Sequence, residues 1–160
     1  MSRFLIPFRM HSSGWLLVAM CAAIGVFSFG LSLGFALGAL LLASLLLHEV
    51  GHMTMATLLG VPVKEFGICL AGAYNRRAYA RRRRDECLIS ISGPMMNLFL
   101  VVPLLFVPRI GSQAALCNLA LFLFNLLPIP SSDGLRIVRN IWRSGESERM
   151  VPALDASGPR

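Results

Sequence analysis

The sequence predicts an all-α polytopic membrane protein: four transmembrane helices, with a short membrane-associated β or loop segment between the second and the third. Three observations predict it. No charged residue lies between Gly14 and Leu47. Of the 160 residues, 56% are hydrophobic and only 14% charged, where a soluble domain carries roughly a quarter charged residues. All of the 15 Lys and Arg except Arg109 fall in three blocks that four spans would bring to one side of a membrane.

The first apolar run is too long for one helix. Its 34 residues would extend about 51 Å as a helix, against a hydrocarbon core of roughly 30 Å. Two spans joined at the glycine-rich stretch 28–34 (SFGLSLG) fit, which places helices over about 14–30 and 33–59. Gly60 and Pro62 stop the second, because proline cannot continue the hydrogen-bond ladder. The N-terminus has the charge and apolar pattern of a signal peptide, but no clean small-x-small cleavage site separates the first span from the second, so the first helix is expected to stay uncleaved. Val61–Ala73 is apolar, β-prone and too short to span as a helix, and Asn75–Glu86 is strongly basic. A third span is expected over about 87–107 and a fourth over about 112–127. Residues 1–140 then form one membrane domain and 141–160 a short tail.

The basic blocks orient the chain. Arg3 and Arg9 precede the first span, seven cations lie in 61–87, and five follow Leu135. The positive-inside rule puts both termini, and whatever site faces them, toward the cytoplasm. This topology accounts for the net charge of +7 without nucleic acid, and the arginines lack interleaved aromatics. The four cysteines (Cys21, Cys69, Cys87, Cys117) have no CxxC spacing, which argues against a disulfide framework and against a thiolate metal site.

The chemistry lies in the second span. His48-Glu49-Val50-Gly51-His52 is an HExxH pattern. Positions four apart share a helix face, so both imidazoles can reach one ion, and Glu49 can reach a water that the metal acidifies. Three ionisable groups in one turn of a membrane span are rare unless they bind something. A catalytic zinc usually takes three protein ligands. The candidates for the third are His11, Asp85, Glu86 and Asp133. Asp133 follows the fourth span in NLLPIPSSDG (125–134), where Pro128 and Pro130 break the helix; such backbone at membrane depth is buried or lines a wet cavity. The plain role for Asp133 is a turn residue in an Asp-Gly pair.

Three motifs in order, HEVGH (48–52), SGPMMN (92–97) and NLLPIPSSDG (125–134), resemble those of the site-2 proteases, the intramembrane zinc metalloproteases of peptidase family M50. The resemblance covers roughly residues 14–140, and the layout is most similar to the stage IV sporulation FB protease group. It implies one Zn2+ held by His48, His52 and Asp133, with Glu49 as general base. It also implies Asn97 and Asn125 as polar groups near substrate or oxyanion, their plain role being interhelical hydrogen bonding. The chain departs from the family pattern at Ala71-Gly72, where Gly-Gly is common, and at Leu135, where D-G-G is common. Neither change removes a ligand.

The implied activity is hydrolysis of peptide bonds in membrane-embedded or membrane-associated proteins. The bilayer and regulatory membrane proteins are the other expected partners. Val63–Leu70 is expected to pair with an extended substrate as an edge strand. The alternative is a zinc-binding membrane protein without proteolysis, such as a metal transporter or a pseudoprotease, which needs the ligands but has no use for Glu49.

Overall fold

The computed structural model describes residues 6–142 apart from Ala71. In chain order the elements are β1 (Phe8–Met10), α1 (Ser12–Phe29), α2 (Leu31–Leu58), β2 (Val63–Cys69), β3 (Gly72–Arg77), α3 (Arg83–Leu104), α4 (Gly111–Leu126) and α5 (Asp133–Trp142). The protein is thus mainly helical, with one small sheet. Arg3, Ala71 and most of the expected tail, with Arg143, Arg149 and Arg160, lie outside the described residues.

The four expected helices form within a few residues of their predicted bounds. Gly30 makes the turn between α1 and α2 with φ of 78°, a conformation that costs glycine little and other residues much. Its N–H bonds Val26 O at 2.9 Å, and Gly34 N–H returns to Gly30 O at 2.8 Å. Small residues then let the two helices touch along their backbones: a Cβ at Gly38 would stand 3.3 Å from Ala22 Cα. That is the packing that serves where lipid removes the hydrophobic drive between helices.

α2 and α3 are long and apolar enough to cross a membrane; α1 and α4 are apolar but shorter. The distribution of side chains is inverted relative to a water-soluble bundle. Phe27, Phe35, Phe99 and Phe106 are exposed, while Ser44, His48, His52, Asn97 and Asn118 are buried.

Three features differ from the sequence-based expectation. α3 starts a turn early, at Arg83, where Glu86 does not stay in solvent although Arg84 does. Glu86 is buried and takes two bonds from the Arg77 guanidinium, at 2.6 and 2.9 Å, and one from Ala80 N–H at 3.0 Å. Its place in the first turn also suits the positive end of the helix dipole. Second, the stretch past the fourth helix, for which the sequence predicted no helix, contains one. Ser132 accepts from Leu135 N–H at 3.1 Å, the N-cap arrangement, and starts α5 at Asp133.

Third, the sheet order is β1-β2-β3. β2, expected as an edge strand, is the central one. β1 pairs parallel to it (Phe8 opposite Phe66, Met10 opposite Ile68) and β3 pairs antiparallel (Phe66 opposite Asn75, Ile68 opposite Ala73). The N-terminal segment closes one side of β2, so the expected docking edge is already occupied. Among the described residues the outer edge of β3 has no strand partner.

The Arg77–Glu86 pair ties β3 to the start of α3, and both side chains are almost fully buried (7% and 4% exposed). Glu86→Ala is expected to lower stability by about 3–5 kcal/mol, because it leaves the guanidinium buried and unpaired. Thermal unfolding in detergent measures this. A loss no larger than that from replacing a surface pair such as Arg76–Glu65 would contradict the assignment.

Candidate metal centre

His48 and His52 sit one turn apart on the buried face of α2, with ring centroids 4.7 Å apart. Gly51, between them, allows α3 to come close: a Cβ there would lie 2.7 Å from Ser92 O. Asp133, the first residue of α5, comes from 81 residues beyond His52 to complete the cluster. Its Oδ2 lies 3.2 Å from His48 Nε2 and 3.1 Å from His52 Nε2, and the two Nε2 atoms are themselves 3.1 Å apart. All three side chains are buried.

The protonation of these atoms follows from what holds the imidazoles from behind. His52 Nδ1 lies 2.6 Å from Ile89 O. A carbonyl only accepts, so Nδ1 carries the proton and Nε2 keeps its lone pair. His48 Nδ1 lies 2.6 Å from Asn97 Oδ1, another acceptor, with the same consequence. With both rings neutral, three lone-pair atoms therefore face one another; a proton on one imidazole would bridge only that ring to the carboxylate, whereas a metal ion satisfies all three at once. Their spacing suits zinc, since a tetrahedral site with bonds of about 2.0–2.1 Å has ligand-to-ligand edges of about 3.3 Å. Two imidazoles and one carboxylate are also a donor set zinc accepts.

Gly93 on α3 keeps the space in front of the ligands open. A Cβ at that position would lie 2.8 Å from His48 Nε2 and closer still to His52 Nε2 and Cε1. Gly134 plays the same part for Asp133, since a Cβ there would collide with the carbonyls of Leu126 and Leu127. The first turn of α5 can thus press against the end of α4.

Glu49 lies beside this cluster, with its carboxylate within 4.8 Å of the imidazole ligand atoms. Asn75 of β3 donates to Glu49 Oε2. Asn75 and Arg77 project from the same face of the strand, so the buried Arg77–Glu86 pair that fixes β3 also aims Asn75 at α2.

The other sequence candidates separate. His11 is exposed and its ring meets Tyr74 OH at 2.9 Å. Glu86 is taken by Arg77. Asn97 has no exposed surface and its amide is engaged on both sides, toward His48 and toward Asn118 at 3.1 Å. It stands behind His48 in an interhelical hydrogen-bonded position, the plain role the sequence offered for it. Asn125 turns back on its own helix, donating to Leu121 O at 2.8 Å. Asn75 and Asn118 went unnoticed in the sequence, and Gly93 was noticed only as part of the SGPMMN motif (92–97). Asn118 carried a signal there, as a polar residue inside an apolar run.

The fold and this site define a class: a helical protein, apolar on its outside, built around a buried His-His-carboxylate cluster that could hold a metal ion. The chain belongs to peptidase family M50, whose profile matches residues 36–113. It is 30% identical over 128 residues to YwhC of Bacillus subtilis (strain 168) and 33% identical over 126 residues to Rip3 of Mycobacterium tuberculosis, both provisionally named zinc metalloproteases. These alignments take in 68% and 69% of this chain and 58% and 32% of those proteins, so the chain spans little more than half the length of the first and a third of the second. The site-2 protease from Methanocaldococcus jannaschii superposes with a TM-score of 0.70 at 25% identity, covering 91% of this chain and 71% of that one. Family and relatives alike imply zinc as the ion.

Gly93→Ala is expected to lower zinc affinity about tenfold or more, because overpacking of about 1–3 kcal/mol falls directly on the ligands. Zinc retained by the purified protein after dialysis against a weak chelator reads this out. Wild-type retention in a folded Gly93→Ala protein would mean that the cradle is looser than the geometry states.

Proposed function

We propose that this chain is the catalytic core of an intramembrane zinc endopeptidase, with His48, His52 and Asp133 as metal ligands and Glu49 as general base. The observation that carries the reading is the pairing of a lone-pair triangle, which calls for a cation, with a carboxylate held beside it by a residue from another element. A zinc-binding protein without hydrolytic activity would need the first feature and has no use for the second.

When bound, zinc supplies Lewis acidity toward a peptide carbonyl and toward water. The chain's own residues do the rest. Glu49 accepts the proton of the attacking water and is placed to return it to the leaving amine. Asn75 orients the Glu49 carboxylate so that its free lone pairs face the cluster. Burial of the site keeps bulk water from competing.

The four apolar helices α1–α4 support a four-span topology, and the distribution of Lys and Arg supports termini and active site on the cytoplasmic side. A substrate helix hides its carbonyls in its own hydrogen bonds and must be unwound to react. The free edge of β3, next to Asn75 and so to Glu49, is the place where an extended segment can satisfy its backbone groups by strand addition. This moves the docking edge from β2, where the sequence suggested it, to β3.

Cleavage of co-expressed single-span membrane proteins tests the activity. Glu49→Gln should lower it by about 10²–10⁴-fold with zinc still bound at one ion per chain. Asn75→Ala should lower it by about 10–100-fold, the worth of a hydrogen bond to a charged group. Zinc flux that survives Glu49→Gln, without any cleavage by the wild type, would favour a transporter instead. For the docking edge, a photocrosslinker at Ala73 should capture substrate, and one at Phe8 on the opposite edge should not. Equal capture from both would exclude β3 as the site of strand addition.

A further inference from the structure

Behind His48 runs a chain of buried polar groups that the hydrolytic mechanism does not use: Asn97 on α3, Asn118 on α4 and Ser44 on α2. Asn97 and Asn118 have no exposed surface, and Ser44 has almost none. Polar groups so placed inside an apolar bundle cost free energy unless each is fully bonded, and this set is. The direction of every bond in it can be derived.

Two backbone carbonyls, which can only accept, anchor the far end. Ser44 Oγ lies 2.8 Å from Leu40 O and so donates its one hydrogen there. Toward Asn118, 2.9 Å away, the Ser44 oxygen can then only accept, so the Asn118 atom facing it is Nδ2. The same Asn118 Nδ2 lies 2.9 Å from Ala114 O, the second obligate acceptor, which uses its other hydrogen. Asn118 therefore turns Oδ1 toward Asn97, and the atom it meets at 3.1 Å must be the donor Nδ2. That leaves Asn97 Oδ1 on the opposite side, against His48 Nδ1 at 2.6 Å. An amide could in principle present either end, and here the network allows one. Reversing Asn97 would set N–H against His48 Nδ1, drive the imidazole proton onto Nε2, and remove a lone pair from the metal cluster.

We propose that Asn118 is a positioning residue for the zinc site: it sets the orientation of the Asn97 amide, and through it the tautomer of His48. The metal affinity of α2 is thus decided partly on α4, two side chains away from the ion. Without Asn118, the only further bond recorded for Asn97 Nδ2 is the long 3.5 Å approach to Ser44 O, which is too weak to hold the amide. This inference deepens the metal-centre reading and rests on it.

The test uses full-length protein and zinc itself as the probe. Asn118→Leu keeps the branched outline of four heavy atoms and removes the acceptor. It should lower zinc affinity by about 10–100-fold, the usual effect of losing a group behind a metal ligand, as measured by chelator competition. In the zinc-stripped chain, 15N spectra of histidine should show one imidazole shifted toward the Nε2–H tautomer. Asn118→Asp still offers an oxygen to Asn97 and should restore both readouts. In an Asn97→Asp background, where a carboxylate beside the imidazole N–H presents an accepting oxygen whichever way it turns, adding Asn118→Leu should cost no further affinity. Should the Leu variant not fold, Asn118→Met substitutes for it, with a flexible side chain that packs adaptably. A purely structural role predicts a lower unfolding temperature with unchanged tautomer and affinity, and that outcome overturns the proposal. So does an equal loss in the Asn97→Asp background. If wild-type protein binds no zinc, the metal-centre reading itself fails, which is a separate result.

Discussion

The two imidazoles of α2 must both present bare Nε2 lone pairs to one point, and the arrangement of the bundle follows from that requirement. A histidine has no fixed tautomer of its own; an acceptor behind Nδ1 has to impose one. α3 supplies both acceptors, Ile89 O for His52 and Asn97 Oδ1 for His48. Helix α3 therefore has to run against α2 at backbone contact, and Gly51 and Gly93 permit it. A methyl group at either position would push the helices apart or fill the space before the ligands.

Asp133, the proposed third ligand, closes the cluster from the start of α5. Asp133 arrives on a segment broken by Pro128 and Pro130, is set at the start of α5 by the Ser132 cap, and is let in by Gly134. A carboxylate buried between two imidazoles would be costly alone. A shared cation turns three mutually repelling acceptors into one satisfied cluster, which couples metal binding to the docking of α5 on α3 and α4. The sheet holds the remaining part. Arg77 locks β3 to Glu86 of α3, and two residues earlier on the same strand face Asn75 holds Glu49. The proposed ligands and the proposed base are thus positioned by separate structural supports, so that each can be disturbed while the other stands.

The inverted distribution of side chains has the same origin. Lipid-facing surfaces need no polar groups, while the interior must carry the site and the groups that orient it. Every buried polar side chain in that interior then needs a partner. Ser44, Asn97 and Asn118 meet this demand with a chain of bonds whose direction is set at two backbone carbonyls. A set of ordinary interhelical hydrogen bonds would give stability alone; a directed one also carries information to His48.

Much of this was legible in the residues themselves. Helix positions follow from apolar runs bounded by Gly30, Gly60 and Pro62, because period and punctuation are local properties. The HExxH pair follows too, since spacing along one helix puts both imidazoles on one face. By residue chemistry alone Asp133 was one of four candidates; the resemblance singled it out, and the fold brings it to the imidazoles across 81 residues of chain. The extra strand β1, the central place of β2, the aim of Asn75 and the turn of the Asn97 amide have no local signature. They depend on which elements become neighbours, and on hydrogen-bond directions fixed by atoms that the folded chain alone brings within 3 Å.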